Sequence, residues 1–143
     1  MMSHEKLDVY RCAIRFVGLS MRLGIDIPKG YGPLCDQLRR ASMSIPLQIA
    51  EGAGKRSAPD CRRFFDYARG SAMECCAVLD VMTECKFGDA RLIKEGKELL
   101  DRIAAMLTKL AGRSSGPAPG SFVRGHATDG ATDDDSVTAA DRG

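Results

Sequence analysis

Catalytic chemistry at a helical surface needs a nucleophile, a metal or a general acid–base pair, and this sequence is sparing with all three. Its only histidines are His4, near the N-terminus, and His126, far along the C-terminal segment. Helical proteins that hold two metal ions do so with inward-facing Glu-x-x-His pairs, and no such pair occurs here. Glu51 and Glu74 remain as carboxylates that could act together as acid and base. Neither has a histidine beside it in sequence. The expectation is a protein that is not an enzyme, with no catalytic residue, no metal, no cofactor and no small-molecule substrate.

The six cysteines (Cys12, Cys35, Cys61, Cys75, Cys76 and Cys85) contain no CxxC pair. Most fall at apolar positions of helical periodicity, where a cysteine behaves as a small buried hydrophobe. Cys75 and Cys76 are adjacent, but neighbours on a helix point about 100° apart and form neither a chelating pair nor an easy disulfide. Packing, rather than redox or zinc chemistry, is the expected role, and a reducing compartment suits unpaired thiols best.

Charge is the third kind of chemistry available. The formal net charge of +2 says little by itself, but its distribution is uneven. Residues 1–112 carry 18 Lys or Arg against 14 Asp or Glu, a net of +4, whereas residues 113–143 carry 3 against 5, a net of −2. Arg39, Arg40, Lys55, Arg56, Arg62, Arg63 and Arg69 fall in one stretch, opposed only by Glu51, Asp60 and Asp66. Arg62 and Arg69 are a heptad apart and share a helix face, with Arg63 adjacent and Lys55 and Arg56 in the loop before them. Lys55, Arg56, Arg62, Arg63 and Arg69 are therefore candidate phosphate contacts for a nucleic acid. A solvated face with local ion pairs to Asp66 is the competing explanation.

A second set has a structural purpose. On an ideal helix Arg40, Ser44, Leu47 and Glu51 share the side opposite Leu38, Ile45 and Ile49. Arg40 and Glu51 then stand about 16 Å apart along the axis, too far to pair. Glu74 shares a column with Tyr67 and Val81, and burial there would require a partner such as arginine. Arg40, Glu51 and Glu74 are expected to form a polar network that fixes helix or subunit packing.

These residues must be positioned by helices. Leu7, Tyr10, Ile14, Val17 and Met21 recur at three- and four-residue steps from Ser3 to about Leu23, and Val9, Ala13, Phe16 and Leu23 widen that face. Gly24 and Pro28 end this helix. A second runs from about Pro33 to Glu51 with Leu34, Leu38, Ala41, Ile45 and Ile49 inward, interrupted by Pro46, which predicts a kink near Ser42. Gly52 and Gly54 stop it. Ser57, Pro59 and Asp60 announce a third helix. It reaches about Lys86 on a heptad seam of Cys61, Phe64, Ala68, Ser71, Cys75, Val78, Met82 and Cys85, flanked by the columns Phe65, Ala72, Leu79 and Tyr67, Glu74, Val81. Gly88 and Asp89 separate it from a fourth, built on Ile93, Leu100, Ile103, Leu107 and Leu110 up to Gly112, with Leu92, Leu99 and Met106 broadening its face.

Residues 113–143 are Gly-, Ser-, Pro- and Asp-rich, with too few large apolar groups to offset ordering entropy, and are expected to be disordered. The remaining 112 residues are enough for one hydrophobic core. Aromatic residues are 6% of the chain and Trp is absent, which suits helices packed through aliphatic side chains. The fold class expected is all-α, an antiparallel up-down four-helix bundle. The N-terminus lacks an apolar signal core, and no run approaches the ~18 apolar residues of a membrane span, so a cytoplasmic protein without a membrane partner is expected. The apolar arcs of the first and third helices exceed what one neighbour can cover, which predicts self-association.

The opening Leu7-Asp8-Val9-Tyr10, the block from Gln37 to Gly52 and the group Phe64, Ala68, Gly70, Ser71 and Glu74 carry a resemblance. The central block is similar to Q-[LI]-R-R-A-x-x-S-I-x-x-N-I-A-E-G, and with the others it resembles the four-helix-bundle proteins encoded in intervening sequences of bacterial large-subunit ribosomal RNA genes. The sequence departs from that pattern at Gln48, where Asn is usual, and at Cys76, where a second acid is common. The resemblance implies a protomer that assembles, often as a homopentameric ring, and a relationship to the accessory variability protein of diversity-generating retroelements, which binds nucleic acid and a reverse transcriptase. The functional expectation is a homo-oligomer whose basic outer surface binds structured RNA or a ribonucleoprotein partner. The alternative is a protein-binding scaffold that touches no nucleic acid.

Overall fold

The computed structural model describes residues 2–112, which form four α-helices and no strand: α1 (His4–Ile25), α2 (Gly32–Ala53), α3 (Ala58–Cys85) and α4 (Ala90–Ala111). The expectation for residues 113–143 lies outside the described residues. Each helix packs along its neighbours in sequence, and α1 also packs along α4, so every helix has two partners.

Local chemistry accounts for the boundaries. Ser3, Ser57 and Asp89 each cap a helix, accepting through their side chains from the backbone N–H of Lys6, Asp60 and Arg91. Pro33 lies in the first turn of α2, where its missing N–H costs nothing. The helix continues unbroken through Pro46, which is buried. Gly52 lies inside α2 rather than ending it, and Gly54 supplies the cap. A β-carbon at Gly52 would stand 2.9 Å from a ring carbon of Phe65 and 3.0 Å from Cβ of Phe64, so the bare backbone is what lets α2 and α3 approach. Gly96 does the same where α4 meets Leu19 and Leu79. At the end of α3 Lys86 takes the left-handed conformation, φ 59°, which glycine usually supplies. The turn folds Phe87 back onto Tyr31, edge to face at 4.9 Å, joining the α3–α4 connection to the α1–α2 connection.

The core is aliphatic with two large rings, Phe16 and Phe65. Leu38, Ala41, Ile45 and Ile49 of α2 and Ile93, Leu100, Ile103 and Leu107 of α4 are buried as their periodicity requires. Two apolar columns are not. In α1 the residues that fill the core are Val9, Ala13, Phe16, Leu19 and Leu23, whereas Ile14 and Met21, expected on the main stripe, are 47% and 58% exposed. In α3 the flanking column Phe65, Ala72, Leu79 is buried, but Tyr67, Glu74 and Val81 face outward. Glu74 is exposed, so its carboxylate requires no buried partner. No helix among the described residues is long and apolar enough to cross a membrane.

Candidate nucleic-acid interface

Where α2 ends and α3 begins, the chain turns through Gly54 to Ser57, and this turn carries Lys55 and Arg56. The Cys61 thiol donates to the Lys55 carbonyl at 3.4 Å and fixes the loop against the first turn of α3. Phe64, half-buried beside Gly52 of α2, becomes the centre of a cationic group. The Lys55 ammonium stands 5.0 Å from its ring centroid and the Arg63 guanidinium 5.4 Å. Cations are held over an aromatic face by the ring quadrupole, by about 0.5–1 kcal/mol at exposed positions. Tyr67 meets the same ring edge to face, with centroids 5.6 Å apart and planes at 82°.

The basic residues do not form a single strip. Arg62 and Arg63 are consecutive and so diverge by about 100°. Lys55 and Arg63 converge on Phe64, toward α2, while Arg62 and Arg69 share a column with Asp80, which bonds Lys97 of α4. Arg63 also pairs with Asp60 at 3.5 Å, one turn earlier, rather than with Asp66. Such an exposed pair holds little energy and yields readily to a stronger anion. Arg56, Arg62 and Arg69 make no ion pair with any described residue.

Of the three residues expected to form a polar network, two come together and Glu51 lies apart. Arg40 and Glu74 line the same shallow cleft between α2 and α3, with Gln37, Ser44 and Ser71. Glu74 accepts from the Gln37 amide at 2.7 Å rather than from arginine. Glu51 is exposed and has no side-chain bond among the described residues. What ties the helices instead are serines. Ser71 donates to Ser44 at 2.9 Å across α2 and α3, and Ser20 and Ser42 lie 3.0 Å apart across α1 and α2. Both Ser42 and Ser44 belong to the block whose arginines drew attention. A serine is mute in a hydropathy pattern, and only its fall within the Arg-Arg-Ala-x-x-Ser segment hinted at it.

The cysteines divide by depth. Cys12 and Cys75 are buried, Cys35, Cys61 and Cys76 half-buried, Cys85 exposed, and all are free thiols. Burial, reinforced by Cys76 and Glu74, pushes the Cys75 thiol up to about 12. Cys76 is also raised, chiefly by burial and then by Asp101 and Asp80, partly opposed by Lys97. Thiols held protonated in this way are poor nucleophiles and poor ligands. Among the described residues no group of three or more His, Cys, Asp or Glu could hold a metal ion.

Comparison with known proteins agrees with the helical architecture. In the solved structures, the chain is similar to a protein with unknown function from the S23 ribosomal protein family of Bacteroides thetaiotaomicron. The TM-score is 0.64 and the identity 18%, over 76% of this chain and 98% of that one. At such identity the likeness speaks for the fold alone. No curated protein matches the sequence. The model of one family, described as 23S rRNA-intervening sequence protein, matches residues 5–109, which takes in almost all of α1 to α4. The chain therefore belongs to the 23S rRNA-intervening sequence protein family.

Proposed function

We propose that the protein is a non-enzymatic, cytoplasmic homo-oligomer of up-down four-helix bundles, assembled as a pentameric ring, whose basic surface binds structured RNA or a ribonucleoprotein. The observation that carries the nucleic-acid reading is the group around the α2–α3 turn. Lys55 and Arg63 flank Phe64, and Arg56, Arg62 and Arg69 have no acidic partner among the described residues. Unneutralised cations on α3 and the turn before it suit phosphates, because each phosphate contact displaces condensed counterions. The family's encoding within ribosomal RNA genes makes RNA the nearest polyanion. The alternating direction of the helices is supported by the Tyr31–Phe87 contact between the two outer connections, and by Lys6, in the first turn of α1, lying 5.8 Å from the Phe65 ring near the start of α3.

Five phosphate contacts would make affinity fall by about two to three orders of magnitude between about 50 and 200 mM salt. Charge reversal at Arg62 and Arg63 should weaken every RNA alike and make the salt dependence shallower. A gel-shift titration at two salt concentrations checks both. Absence of binding at low salt would favour the second reading, a protein-binding scaffold without nucleic-acid contact, which the exposed apolar residues of α1, α2 and α3 support.

A further inference from the structure

Tyr67 is 51% exposed on α3, and its ring is held from one side by the edge-to-face contact with Phe64. The ring is thus oriented before anything binds, while part of its face stays free. Arg63 lies four residues earlier, one helical turn away on the same face, and shares Phe64 with the Lys55 ammonium. Gly70 lies three residues later. A β-carbon there would meet nothing within 4 Å, so this helical glycine is not required by packing within the protomer. It leaves bare backbone beside the exposed ring, where a flat group can approach. The arrangement is ordered along the helix: cations, then an aromatic ring, then an open step, with the Glu74 carboxylate one turn beyond, held by Gln37. Glu74 disfavours a phosphate at that far end, whereas Asp66, also exposed, lies between Arg63 and the ring along the helix. Phosphate is drawn to one end and repelled from the other, with a stacking surface between them.

We propose that Tyr67 is a stacking platform for an unpaired nucleobase, with the adjoining phosphate on Lys55 and Arg63, so that the RNA partner is engaged at a single-stranded loop or end rather than along a duplex. This rests on the reading of the basic surface as an RNA site and sharpens it. Single-stranded nucleic acid is held by basic grooves together with aromatic side chains on which bases stack. A duplex has no free base face to offer, so Tyr67 adds nothing to its capture.

The test compares a short oligouridylate with an RNA duplex of equal length, using the full chain and its variants. Tyr67→Ala should weaken the oligouridylate between about five- and 150-fold, the range expected for loss of one stacked base, and leave the duplex unchanged. Tyr67→Phe keeps the ring and should bind as the parent does. Gly70→Leu should weaken the single strand while thermal stability holds or rises, because leucine is the better helix former. Oligouridylate affinity unchanged in Tyr67→Ala, or single strand and duplex weakened alike, overturns the platform. If charge reversal at Arg63 still weakens binding in that case, the RNA reading stands without it. Failure of the parent protein to bind either RNA at low salt overturns both.

Discussion

Cys75 shows how position on a helix, not residue type, decides chemistry. It lies in the core between Ala72 and Val78 of the same face, and its thiol is pushed from an ordinary 9.0 up to about 12, by burial first and by Cys76 and Glu74 next. The folded protein keeps this proton where the unfolded chain releases it. Its contribution to stability is therefore fully present below about pH 9.0 and declines as pH climbs from there toward 12. Melting temperatures followed through that window should fall more steeply for the parent than for Cys75→Ala, and parallel slopes would contradict the assignment. Cys76, raised as well, leaves a residual slope in the variant. At this scale the sequence was readable as to kind and unreadable as to partner. The run of basic residues from Lys55 to Arg69 was plain, yet the division into a group around Phe64 and a separate Arg62–Arg69 column follows from a rotation of 100° between neighbours. Glu74, a candidate for pairing with arginine, accepts from Gln37, while Arg40 lines the same cleft without a bond to it.

Helices were the most legible scale, because caps and prolines are local signals: Ser57 and Asp89 cap α3 and α4, and Pro33 lies in the first turn of α2. Which face of a helix turns inward was less legible. In α1 two apolar stripes lie side by side, and hydropathy alone could not show that α2 and α4 would enclose Val9, Phe16 and Leu23 and leave Ile14 and Met21 outside. Glycines illustrate the same dependence on neighbours. Gly52 and Gly70 are both interior to helices, so alanine at either gains about 0.8–1.0 kcal/mol of helix propensity. At Gly52 the added carbon collides with Phe64 and Phe65, and overpacking of this kind costs about 1–3 kcal/mol. At Gly70 it meets nothing within 4 Å. Gly52→Ala should lower the urea midpoint and Gly70→Ala should raise it, measured at one protomer concentration. A shift of the same sign in both would contradict the packing of α2 on α3.

The whole molecule is uneven in what it shows to water. The outward side of α4 carries Arg91, Lys94, Glu98, Asp101, Arg102 and Lys109, and none of the exposed large apolar residues belongs to that helix. The outward sides of α1 and α2 differ. Ile14, Met21 and Ile25 follow one another on α1, Met43 and Leu47 on α2, and Met21, Ile25 and Met43 line a common cleft between the two helices. Leu47 is 68% exposed. Tyr67, Met73 and Val81 of α3 are exposed as well, so every helix but α4 shows large apolar side chains to water, as a face covered by a further copy would. In the proposed ring the cleft between α1 and α2 would be covered, with α4 toward solvent and the turn bearing Lys55 and Arg56 open to ligand. Sedimentation velocity over a dilution series tests self-association most directly. The expected result is a species several times the 15.4 kDa of one chain, lost on changing Met21 and Leu47 to lysine. A folded 15.4 kDa protomer that persists unchanged at every concentration would contradict it.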